Sequence, residues 1–186
     1  MPKNALVILH PDCEELELIA PLDVLRRGGV QVTLAHTGAA AQTTGKNGLT
    51  LLGECTLASV ENKPFDAVIL PGGPGIKQLR GDALIVRTLQ AARKRGALIG
   101  CICAAPLLLL DADLIKGHRY TAHPTTAPEL PDALADEPVV ADQNLITARG
   151  AGTATRFGLA LLAYLSGRAA ADEVAEAICF AGDFPG

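Results

Sequence analysis

The chain has 186 residues, 49% of them hydrophobic and 19% charged, with a net charge of −4. That length and balance suit one globular unit with a substantial core and exclude a disordered chain. The negative balance leaves no basic footprint for nucleic acid or an acidic membrane surface, so neither is an expected partner.

In chain order, short apolar runs alternate with longer amphipathic stretches. Residues 5–10, "ALVILH", predict a buried strand, and 15–28, "ELELIAPLDVLRRG", a helix ending at Gly28. A strand over 30–36 follows. Residues 38–60, rich in Gly and Thr, predict a small hairpin excursion. Residues 65–73 give a strand running into a glycine turn, 82–95 a helix, and 97–102 a further buried strand. Residues 118–144, with four prolines, predict an extended loop with short strands. A strand over 144–150 and helices over 153–167 and 170–179 complete the chain. Continuous apolar strands between helices indicate an α/β fold, with a mostly parallel sheet covered on both faces. The five-residue apolar stretch after Asn4 is too short for a signal-peptide core, and no run reaches the length of a membrane span. Five cysteines, an odd number, argue against a disulfide framework and for a reducing, cytoplasmic setting.

Ligands of open parallel sheets bind beyond the carboxyl ends of the strands, which directs attention to four turns. "HPDCEELE" lacks the glycines of a dinucleotide fingerprint, so a nucleotide cofactor is disfavoured. In "LPGGPG", Gly72 and Gly73 either make a tight turn or free backbone N–H groups to face an anion or oxyanion.

"ALIGCICAAPLLLL" holds two cysteines two residues apart. No further ligands stand close enough in sequence for a metal site, and a Cys101–Cys103 disulfide would be strained. Cys101 falls inside the strand pattern and reads as packing. Cys103 falls where a helix opens, and unpaired N–H groups there are expected to lower its pKa and make it a nucleophile. A nucleophile needs a proton partner. His123, in "TAHP", is a candidate; His10, His36 and His118 have no comparable claim. Glu17 lies four residues before Pro21, which cannot donate to the Glu17 carbonyl, so the helix is expected to kink or restart there. A carboxyl turned inward at that point would be desolvated, and its pKa raised. Glu14, Glu15 and Glu17 could equally form a solvated face.

The strings "EELELIAPLDVLRRGG", "LPGGPG", "ICAAP", "TAHPT" and "ITARGAGTA", in this order, resemble the ThiJ/PfpI superfamily, and more closely its DJ-1 branch with the bacterial YajL-type proteins. The resemblance implies one domain over 1–186, a flavodoxin-like doubly wound sandwich and a homodimer. It makes Cys103 the reactive cysteine, Glu17 the carboxyl hydrogen-bonded to it and His123 the nearby histidine. Gly73 and Ala104 match the family's oxyanion donors, and Arg149, Gly150 and Arg27 its pocket lining near the dimer contact. The protease-like branch has His directly after the cysteine; Ala104 stands there instead and speaks against peptidase activity. Lys46 and Asn47 stand where some members supply an arginine. Cys13 is either a loop residue or a resolving thiol for oxidised Cys103.

Three functions are therefore open, none needing a cofactor or metal. The first is a cysteine-dependent glyoxalase or deglycase acting on reactive dicarbonyls in stress protection. The second is a redox sensor or oxidation-dependent chaperone whose Cys103 is oxidised to sulfinate. The weakest is an amidase or amidotransferase, because the acid expected two residues beyond His123 is Thr125. The small partner is a reactive aldehyde or an oxidant.

Overall fold

The computed structural model describes residues 2–186. Strands β1 (Asn4–Leu9), β2 (Gln31–His36), β6 (Ala67–Leu70), β7 (Leu98–Ile102) and β9 (Leu145–Ala148) form a parallel sheet. Two short strands close its edges: β5 (Cys55–Thr56), parallel to β2, and β8 (Val139–Asp142), antiparallel to β9. The order across the sheet is β5-β2-β1-β6-β7-β9-β8. A separate hairpin pairs β3 (Gln42–Thr44) with β4 (Thr50–Leu52).

Side chains alternate across a strand, so one continuous apolar run feeds two cores. Ala5, Val7 and Leu9 of β1 face a core shared with α1 (Glu15–Arg27), α6 (Ala154–Ser166) and α7 (Arg168–Ala177). Leu6 and Ile8 face the opposite core with α2 (Leu57–Val60), α3 (Ile76–Leu79), α4 (Ala83–Lys94) and α5 (Pro106–Asp111). Asp82 caps α4 by accepting from the N–H groups of Leu84 and Ile85 at 2.8 and 3.0 Å.

Two expectations change. The excursion over 38–60 holds the hairpin, but it also returns β5 to the main sheet and adds α2. The helix over 15–27 neither restarts nor breaks at Pro21. Pro21 is buried against α6, where a methyl group on Gly158 would sit 2.9 Å from the Pro21 Cα. That close packing holds the helix across the one backbone bond proline removes. Among the described residues no helix is long and apolar enough to cross a membrane.

Candidate active site

The site lies beyond the carboxyl ends of β1, β6, β7 and β9. Cys103 follows β7 directly and has φ 64°, the left-handed region that costs an L-residue about 1–2 kcal/mol. The turn is held because the Cys103 N–H donates to the Ala148 carbonyl at 2.8 Å, while its own carbonyl accepts from the His123 N–H at 2.8 Å. The strain aims the thiol out of the sheet, at residues that strand geometry alone would not bring to it.

Glu17, 1% exposed, meets it from the first turn of α1. Its Oε2 accepts from the Gly72 N–H at 2.9 Å, and its carboxyl lies within hydrogen-bonding reach of Cys103. A methyl group on Gly72 would sit 2.7 Å from both Cys103 Cβ and Glu17 Oε2, so only glycine lets the three approach. Gly73, at φ 107°, and Ala104 direct their N–H groups at the thiol.

Burial raises the Glu17 carboxyl to about 7; hydrogen bonds from Cys103 and the Gly72 N–H oppose that rise without cancelling it. Cys103 is pushed up to about 12 by burial, then by the Glu17 charge and hydrogen bond, against the Gly73 and Ala104 N–H groups. The lowered thiol pKa expected from the helix start is therefore not found. α5 begins only at Pro106, and burial of the thiol, followed by the Glu17 carboxylate, outweighs the two N–H donors. The two groups titrate together. With one proton between them, thiolate exists when that proton sits on Glu17.

Cys103, Glu17 and His123 line one cavity of about 510 Å³, with Gly73 and Ala104 in its wall. The His123 ring is fixed from its own turn: its Nδ1 accepts from the Thr125 N–H at 3.3 Å and meets Thr125 Oγ1 at 2.8 Å. The hydroxyl stands where an amidase triad would place a carboxylate.

The remaining candidates divide. Gly72 lies beneath the site as Glu17's donor. Gly150 backs the His123 ring; a methyl group there would stand 3.5 Å from its Cδ2. Arg149 donates its N–H to the Pro138 carbonyl and does not line the cavity. Arg27 lies away from it as well, paired with Asp23 at 2.6 Å one helical turn back. Cys13 is a loop residue between β1 and α1, yet it is fully buried in the core of α1, α6 and α7, and burial raises its thiol to about 11.

Glu14, at the N-cap of α1, and Glu15 and Glu17 in its first turn form no solvated face: all three are buried. Glu15 accepts from the Asn47 N–H and side chain at 2.7 and 2.8 Å, sewing the hairpin turn to the helix start. Glu14 holds Lys46 at 3.1 Å at the cavity wall. Arg80, also in the cavity wall, is held by Asp111 and Glu129. These partners lie 31 to 49 residues apart, beyond the reach of a local pattern.

A strained cysteine on a parallel strand's end, facing a buried glutamate and two backbone donors, defines a class. The chain belongs to the DJ-1/PfpI family, whose profile matches residues 3–164. It is 38% identical to protein dj-1beta of Drosophila melanogaster, over 97% of this chain and 99% of that one. The crystal structure of that protein matches with a TM-score of 0.93, covering 98% and 100% of the two chains. The glutathione-independent glyoxalase DJR-1.2 of Caenorhabditis elegans is 37% identical over 96% of this chain and 97% of its own. Oxidized DJ-1 of Toxoplasma gondii matches with a TM-score of 0.92 at 27% identity, covering 97% and 100%.

Proposed function

We propose that this protein is a cofactor-free glyoxalase or deglycase that converts small reactive dicarbonyls to 2-hydroxy acids. The observation that carries this reading is a carboxyl that holds its proton near neutrality beside a partly exposed thiol in the wall of one cavity. Such a pair supplies both a nucleophile and an acid–base group.

With methylglyoxal, the Cys103 proton passes to Glu17, the thiolate so formed adds to the aldehyde carbon, and the carbonyl oxygen takes that proton from Glu17, giving a hemithioacetal. Glu17 or His123 then removes the C1 hydrogen, and the electron pair moves to form an enediol. The proton returns at C2, leaving the thioester of a 2-hydroxy acid. Water attacks the thioester and releases lactate and the thiol, so no electrons are gained or lost overall. The Gly73 and Ala104 N–H groups steady the negative oxygen at each addition. The test is lactate formation from methylglyoxal without glutathione; undiminished turnover in Cys103→Ser or Glu17→Ala refutes the assignment.

The partial exposure of Cys103 beside a proton-donating carboxyl also supports a second reading, in which Cys103 oxidises to a sulfinate that Glu17 holds. Peroxide treatment followed by mass analysis tests it, and another cysteine oxidising before Cys103 counts against it. A homodimer belongs to either reading. Leu16 and Ile19 of α1 and Leu49 and Leu52 of the hairpin are exposed, and the Leu49 N–H reaches Glu15 at 3.4 Å, so the hairpin turn lies beside the start of α1. Light scattering on the protein and on Leu16→Asp tests whether a second copy covers them; a monomer in both rejects it.

A further inference from the structure

His10 directly follows β1 and is fully buried. Its ring lies between two turns of the site. Nδ1 stands 2.9 Å from the Pro11 carbonyl oxygen, and Nε2 stands 3.2 Å from that of Pro71. The Pro11 oxygen belongs to the next residue, so the chain itself keeps it near. The Pro71 oxygen comes from the residue after β6, 61 residues away, and the register of β6 on β1 sets that carbonyl beside the ring, within hydrogen-bond distance of Nε2. Burial disfavours the imidazolium, and Asp12 is the charged group that bears on the ring. A neutral imidazole has one N–H to give.

Pro71 C=O and Gly72 N–H are two ends of one planar peptide group and point in opposite directions. The carbonyl end meets His10. The N–H end donates to Glu17 Oε2 at 2.9 Å. His10 and Glu17 therefore sit at opposite ends of a single peptide dipole, and a bond at one end strengthens the donor at the other.

We propose that His10 is a positioning residue for the Cys103 site, donating from Nε2 to the Pro71 carbonyl and so fixing and polarising the Gly72 N–H that holds Glu17. It touches neither the substrate nor the reacting sulfur. The inference rests on Glu17 as the partner of Cys103 and not on the identity of the substrate.

The test is the titration of the Glu17 carboxyl, followed by carbon-13 NMR in the wild type, His10→Leu and His10→Gln. Loss of the bond in His10→Leu weakens the Gly72 donor, so the midpoint rises by on the order of half a pH unit. The Gln amide N–H can still reach the Pro71 oxygen and brings the midpoint back towards the wild type. An unchanged midpoint in folded His10→Leu overturns the proposal, as does a folded Gln variant that titrates like Leu. Should His10→Leu fail to fold, the wild-type nitrogen-15 spectrum decides: Nε2–H supports the bridge, and Nδ1–H overturns it. The titration shift stands or falls whether or not methylglyoxal is turned over.

Discussion

Strand β7 and the turn that follows it carry the same residue two positions apart and treat it in opposite ways. Cys101 sits in register between Leu70 and Thr147, fully buried, with its thiol raised by burial alone. Cys103 stands outside the ladder at a left-handed φ, partly exposed, with a carboxyl and two N–H groups around its sulfur. A strand supplies one environment, the apolar core. The turn collects groups from α1, the β6–α3 turn and the residues before Pro124, and so makes chemistry from a cysteine that two residues earlier would be packing.

That contrast can be broken most sharply by substitution at the turn. Cys103→Ser is expected to lower methylglyoxal turnover by roughly a thousandfold or more, since the hydroxyl is far the weaker nucleophile here. Glu17→Ala should cost about a hundredfold or more in kcat, the range of a lost acid–base group. Steady-state lactate assays measure both.

Linkage sharpens the comparison next. The Glu17 carboxyl ordinarily titrates at 4.5 and here is raised to about 7. Below the lower value it is protonated folded or unfolded, so it adds no pH dependence. Between the two, only the folded state keeps the proton, and stability falls as pH rises. Passing from pH 4.5 to pH 8 should remove roughly 3 kcal/mol of unfolding free energy, and Glu17→Gln should flatten that slope. Denaturant melts at several pH values read it.

The backbone gives smaller effects. Cys103→Gly should be about 1 kcal/mol more stable than Cys103→Ala, because glycine alone adopts φ 64° without strain. Cys101→Ala should leave turnover within about twofold and cost about 1 kcal/mol for the small cavity left in β7. A large activity loss there, with stability intact, would erase the distinction between strand and turn.

The strand half of this contrast was legible in the sequence. Unbroken apolar runs such as "ALVIL" and "ALIG", set between helical stretches, mark strands buried on both faces, so the parallel sheet and the packing role of Cys101 are legible locally. Cys103, Glu17 and His123 were legible as residues, but their electrostatics were not. A helix opening directly after Cys103 implies a lowered thiol; α5 instead opens at Pro106, and burial, then Glu17 from 86 residues away in sequence, raises it. The resemblance places Arg27 at the pocket lining, whereas on α1 it pairs with Asp23 one turn back. The clamps of Glu14 and Glu15 on the hairpin, and of His10 on Pro71, join turns that no local pattern links.

The central claim is that a carboxyl protonated near neutrality lies against the reactive cysteine. Titration of the Glu17 carboxyl in the wild-type protein by carbon-13 NMR tests it most directly. The account predicts a midpoint near pH 7 that moves when Cys103 is replaced by Ser. A midpoint in the ordinary carboxylate range, indifferent to that substitution, would contradict it.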